Sequence, residues 1–534
     1  MKNGTTHPLV GAALTSLLLT ATPAVLAQGK TLLVLKGPAE AARLDPHRDS
    51  SFPTAEYTTL LTDSLVSIDA DLKTVKPHLA QSWTITPDGK TYLFKLRTDV
   101  KFCSGRPMTS KDVVGTFERW RDPATRSPSR FRIASLESIR AVDDHAVEMK
   151  LSHPDNEFLL QIGTHFGGII DPEQAAELKD NFGVTAFNGV GPFCLEKWVP
   201  RQEAVLKRHD AYRWGPPQFD NKGPAKVERI VFRTVPEEST LTSTLLSGGG
   251  MLTSTLPDWA KEKVLTNPAI AHTVGRAVGF SPTLHLRVSK PPLTDPVVRR
   301  ALTMAINRPL LATAVWGKGA LPAWSMVAPT VRDADPTLDR LAFQYDKAGA
   351  AKMLDDAGWK MGPGGVRVRN GEKLSLIIYG QDLPQWRNAL GAIHGMWRDV
   401  GVDLQLRLWE PQVAFAKLAS PEWNLTIYNN IHISAGDGLG NAFHSKNIGS
   451  SNRTGWSDPE TDRLLDAARQ SLSDQERAKL YREVQERLLA AQPVIPLYND
   501  QRQTFYNKSM VKGVKSFGTY GVMLYKALDI EVIR

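Results

Sequence analysis

The chain has 534 residues, 42% of them hydrophobic and 23% charged, which are the proportions of a soluble globular protein and not of a disordered or multi-span membrane chain. That length exceeds what one hydrophobic core supports and calls for two or three compact units. Its 65 Lys+Arg against 56 Asp+Glu, a net charge of +9, form no basic run, so they describe a solvated surface and no nucleic-acid partner is expected.

Lys2 and His7 precede an apolar, small-residue stretch at 9–19, and Val25-Leu26-Ala27 follows it. This is the pattern of a secretory signal cleaved after Ala27, since the apolar run is shorter than the ~20 residues that span a bilayer. A soluble, periplasmic mature protein is expected. Residues 30–35 then read as a buried strand and 54–65 as a helix. Residues 81–97 alternate apolar and polar around Pro87-Asp88-Gly89, which predicts a hairpin. Thr109 and Asp112 form a capping box ahead of a helix over 109–120. Strands are expected within 136–151 and 226–233. The second half is richer in helices. Asp295 caps one with Pro296 at its first position, 345–359 form another ended by Gly358, Ser457 with Glu460 starts a third, and Ser473 with Glu476 a fourth. Strand-like stretches intervene at 374–379, 402–408 and 424–428, and residues 362–365 read as a surface turn. Helices alternating with strands imply α/β lobes.

The two cysteines, Cys103 and Cys194, each follow a Phe, which hints at equivalent strand positions. They form a disulfide or remain two separate buried thiols; sequence leaves both open. With no metal-ligand spacing, neither a metal nor a cofactor is expected.

The order of motifs resembles the peptide/nickel class of extracellular solute-binding proteins, family 5, which serve ABC importers. The residues that carry it are 79–97, 99–120 (DVKFCSGRPMTSKDVVGTFERW), 189–198 (GVGPFCLEKW), 207–215, 295–308, 345–359 and 454–498. The resemblance implies an α/β, two-lobed periplasmic binding protein (Venus-flytrap) fold with an extra subdomain on the first lobe. Behind a signal peptide at 1–27, lobe I would comprise 28–75, 191–278 and 501–534, the added subdomain 76–190, and lobe II 279–500. The lobes would be joined by crossings near 280–286 and 495–505. It also implies a monomer that captures a small peptide-like or amino-acid-derived ligand, without a chemical step, and presents it to the membrane permease subunits of an importer. Two departures stand out. Gly248-Gly249-Gly250-Met251 lacks an acid common there, and the cleft segment reads Tyr428 to Gly438 with Asp437 followed by Gly where the class often has Asp-Pro.

Seven residues are the candidate ligand contacts. Asp437 would hold a ligand cation, or Gly436-Asp437-Gly438 is only a turn. Tyr428, Asn429 and Asn430 follow a strand, where open α/β sheets receive ligands, though the asparagines equally suit a turn. Trp324 and Trp386 would wall a pocket or serve the core, and Arg48 would reach the cleft or pair on the surface. The alternative function is a secreted hydrolase of peptides or esters, for which no Gly-x-Ser-x-Gly elbow is present.

Overall fold

A computed structural model describes residues 30–275, 279–317, 320–429, 432–499, 502–515 and 522–533. The expected export signal and Asn430 lie outside them. Every fold statement below concerns the described residues.

The opening strand Thr31–Lys36 is buried on both faces apart from its first residue, as befits the centre of a covered sheet. It pairs in parallel with Arg229–Thr234 and Leu252–Thr253. Arg502–Asn507 and Ile270–Gly275 extend the sheet antiparallel on one side, Glu203–Arg208 and Phe193–Val199 on the other, giving seven strands. A second sheet of five strands runs in the order Asp403–Trp409, Ser375–Gln381, Leu425–Tyr428, Thr283–Leu286, Val494–Pro496. Its first three strands are parallel and Thr283–Leu286 is antiparallel to both neighbours. A third, four-stranded antiparallel sheet (Ala80–Ile85, Thr91–Leu96, Ala146–Leu151, Leu136–Asp143) contains the expected hairpin, with Gly89 at φ +69° in its turn. Its buried face, with Phe94 and Val147, is continuous with the core under the seven-stranded sheet, whereas Leu284, Ile378 and Trp397 centre a separate core in the second half.

The chain passes from the first sheet to the second after Ile270–Gly275 and returns after Val494–Pro496 to Arg502–Asn507. These strands are neighbours in both sheets, so the two crossings run side by side. A hydrogen bond between Ser281 Oγ and Asn499 Oδ1 (3.1 Å) ties them together.

Most helix starts follow their local chemistry. Thr109 and Asp112 form the reciprocal capping box of Ser110–Arg121, Asp295 caps Pro296–Met304, and Ser473 caps Asp474–Ala491. Three expectations are corrected. The first helix is Phe52–Leu61, capped by Ser51, and stops early because Val66–Ile68 is claimed by pairing with Val75–Pro77. The helix Pro459–Gln470 starts from Asp458, whose carboxylate accepts from Thr461 N, with Pro459 at the first position. Gly436-Asp437-Gly438 is the first turn of the helix Ala435–Phe443 and not a loop.

Cys103 and Cys194 are joined as a disulfide with Cα atoms 5.7 Å apart. Their positions are not equivalent, since Cys194 lies in the strand Phe193–Val199 and Cys103 in the turn before the helix Ser110–Arg121. His209 lies beside the two sulfurs, which are consumed by the bond.

Candidate functional site

Leu425–Tyr428 and Ser375–Gln381 run parallel, so their carboxyl ends open on the same edge of the second sheet. A shallow crevice sits there, lined by Gly380, Gln381, Phe415, Ile427, Tyr428 and Arg453. Crevices at strand carboxyl ends are where open α/β sheets take ligands. Tyr428 is positioned from below by His285 on the adjacent antiparallel strand: the rings stack at 4.0 Å and the Tyr428 hydroxyl lies 3.2 Å from His285 Nδ1. Burial raises the Tyr428 phenol to about 12, and burial together with the nearby Arg453 cation drives His285 well below its ordinary value. Both therefore stay neutral at physiological pH.

Arg453 covers the other face. Its guanidinium carbon lies 4.8 Å from the Tyr428 ring centre and 5.3 Å from that of Phe415. Burial lowers its pKa, and its Nη1 is buried without a hydrogen-bond acceptor. Phe415, on the helix Pro411–Lys417, leaves 46% of its surface exposed and forms an open apolar wall. At the carboxyl ends of the first sheet, Lys36 pairs with Glu56, and Thr234 Oγ1 donates to Glu40 (2.5 Å).

A second constellation joins the two halves. Arg132 Nη1 donates to Asp437 Oδ2 (2.5 Å) and to Gln161 Oε1 (2.8 Å), and His432 Nδ1 lies 2.8 Å from the same Asp437 oxygen. Burial pushes the Asp437 carboxyl up, but Arg132 and His432 more than reverse this and hold it well below the usual carboxylate range. Beside it, Glu157 meets Arg332 at 2.9 Å and accepts from Ser434 Oγ (2.5 Å), while Asp155 takes a two-point contact from Arg469 (2.8 and 3.1 Å). Ile68 and Leu160 from the first half pack on Ile433 from the second.

The helix carrying Asp437 is placed by close approach. A Cβ on Gly436 would stand 2.0 Å from Tyr481 Oη, and one on Gly438 2.0 Å from Phe280 Cζ. Ser434 caps it by accepting from Asp437 N.

The seven sequence candidates therefore fall in different neighbourhoods. Tyr428 lines the pocket and the half-buried Asn429 follows it. Asp437 belongs to the ionic seam with Arg132 and His432. Trp386 is 4% exposed in the second core, Trp324 is half-buried with Arg308 5.0 Å over its ring, and Arg48 meets Asp180 at 2.5 Å. Sequence reasoning missed Arg453, Phe415 and Gln381. One signal for Arg453 was there: residues 438–457 carry Lys446 and Arg453 but no acid.

Residues 74–449 match the model of bacterial extracellular solute-binding proteins, family 5 (middle region). The chain belongs to that family. An ABC transporter peptide-binding protein of Brucella ovis is 29% identical over 366 residues, 66% of this chain and 64% of that relative, so the match spans under two thirds of the relative's length. Di/tripeptide-binding protein 2 of Pseudomonas aeruginosa is 26% identical over 507 residues, covering 89% of this chain and 91% of that one. The periplasmic binding protein DppA of Helicobacter pylori, solved with the peptide STSA, superimposes with a TM-score of 0.79 at 23% identity, covering 95% and 98% of the two chains. The fold is thus the two-lobed one of family 5, and the seven- and five-stranded sheets are the centres of its lobes. No helix among the described residues is long and apolar enough to cross a membrane.

Proposed function

We propose that the chain is the exported solute-binding component of an ABC importer, which closes its lobes over a small peptide-like or amino-acid-derived ligand and presents it to the permease subunits. The observation that carries this is the geometry of the crossings: the chain passes between two sheets by strands that are neighbours in both, with a crevice at the carboxyl ends of the second. Such a link lets one half rotate on the other as a hinge. Membership of family 5 and the peptide-binding names of two relatives support the same reading.

In this reading the mature protein begins after Ala27 and works as a periplasmic monomer. Lobe I comprises 28–75, 191–278 and 501–534, the subdomain 76–190, and lobe II 279–500. Tyr428 and Asn429 face the ligand, and Asp437 serves the seam between lobes. Trp386, Trp324 and Arg48 act as structural groups.

The test is a thermal-shift screen of the mature protein over dipeptides, tripeptides and amino-acid derivatives. Small-angle scattering and product analysis follow on every hit. A ligand raises the melting temperature as RT ln(1 + [L]/Kd) and compacts the molecule, with no product formed. Turnover of a peptide or ester would restore the hydrolase alternative, and binding without any change in dimensions would remove the hinge.

A further inference from the structure

The crevice beside Tyr428 contains a cation that meets no carboxylate among the described residues. The fully buried arginines of this half are satisfied internally, whereas Arg453 is half-buried with its Nη1 out of reach of water. Arg477 meets Asp333 and Asp474, Arg367 meets Asp355, and Arg299 and Arg308 spend their forks on the carbonyls of Ala491 and Pro496. Arg453 makes no hydrogen bond or ion pair with any described residue; only the faces of Tyr428 and Phe415 accompany it. Aromatic contact offsets part of the desolvation of a guanidinium, by about 0.5–2 kcal/mol, but supplies no acceptor to the buried Nη1. A buried donor without an acceptor costs free energy that an incoming anion would recover.

From these observations we infer that Arg453 is the anchor for a ligand carboxylate, with the flat, apolar part of the ligand seated against Tyr428 and the exposed ring of Phe415. This deepens the transport reading above and rests on it. The planar fork matches a carboxylate at two points, and one uncompensated charge balances a monoanion better than a phosphate dianion. The nearest comparable cation on the same helix as Phe415, Lys417, lies over Trp409 instead, 5.9 Å from its ring centre. The carboxylate of the cleft segment, Asp437, is already neutralised by Arg132. The charge preference of this chain accordingly runs toward acids at the Arg453 pocket, where an acid at 437 free of partners would have favoured amines.

The experiment uses the mature protein and a set of dipeptides and small aromatic or aliphatic carboxylic acids, each paired with its primary amide, measured by thermal shift and titration calorimetry. Acids are expected to bind about tenfold or more tightly than their amides, the size of a charge-assisted hydrogen-bond pair. Arg453→Gln is expected to abolish that preference while amide binding stays within about twofold, and Arg453→Lys to restore part of it. Phe415→Ala, on an exposed side chain that folding tolerates, is expected to weaken acids and amides alike. Equal binding of acid and amide by the wild type overturns the role of Arg453 and leaves the transport reading standing. An acid preference that survives Arg453→Gln in a folded protein overturns it as well. Absence of binding by every compound counts against both.

Discussion

Asp437 shows what a single buried charge does when its partner is distant in sequence. Its carboxylate is 3% exposed and meets Arg132, 305 positions earlier, together with His432 five residues before it. Removing one member of a buried pair leaves the other charge uncompensated, which costs about 3–5 kcal/mol. Asp437→Asn is expected to lose stability on that scale, since the amide keeps the shape but not the charge facing Arg132. The pH dependence has a definite sign. The folded pKa is depressed below the unfolded value of ~3.9, so the stabilisation is complete above about pH 4 and disappears as pH falls through the folded value. The difference in unfolding free energy between wild type and Asp437→Asn should be flat from pH 7 to 5 and shrink in stronger acid. A difference that vanished already between pH 7 and 5 would contradict the Arg132 contact. The sequence drew attention to Asp437 because it stands in the cleft segment of the resemblance, between glycines that would let backbone approach a ligand. It could not supply Arg132, because no local pattern links residues so far apart.

At the scale of elements, local chemistry was legible wherever a cap or turn decides the backbone. The hairpin at 81–97, the capping box at Thr109 and Asp112, and the helix starts at Asp295 and Ser473 all follow from side chains within four residues. Gly436-Asp437-Gly438 suggests a turn in sequence because of its glycines, whereas tertiary crowding is what requires both of them. Gly436 lies against Tyr481 Oη, yet Gly440 on the same helix has no atom within 4 Å of where a Cβ would be. The two positions should therefore respond oppositely to alanine. Gly440→Ala is expected to stabilise the protein by up to ~1 kcal/mol through helix propensity alone. Gly436→Ala is expected to destabilise it by about 1–3 kcal/mol, since Tyr481 and Glu157 must give way. Urea unfolding midpoints measure both. A neutral Gly436→Ala would mean that Tyr481 does not press on this helix.

In the proposed reading, the whole molecule balances the paired crossing strands, which would permit rotation, against the seam, which would resist it. Asp155, Asn156 and Glu157 lie consecutively in the first half. They engage Arg332, Ser434, Ala468 and Arg469 in the second through contacts of 2.5–3.1 Å, all charge-assisted except that of Asn156 Nδ2 to the Ala468 carbonyl. Opening the lobes would hydrate all of these groups, so the seam's net contribution is the difference between contact and hydration, smaller than its gross attraction. That places closure within reach of a ligand's binding energy, as a reversible device requires. The two-lobed plan was readable from motif order, but the seam was not, because its pairs, such as Asn156 with Arg332 (176 positions apart) and Arg132 with Asp437 (305), are joined by no local pattern. If the seam holds the lobes together, Arg332→Ala with Arg469→Ala should shift the ligand-free protein toward the open form. Scattering would then report a larger radius of gyration than wild type, and a bound ligand would restore the compact value. Because apparent affinity scales with the fraction already closed, each 1.4 kcal/mol removed from closure should weaken binding about tenfold once the open form predominates. An unchanged radius with unchanged affinity would show that the crossing strands and the sheets alone fix the relation between the lobes.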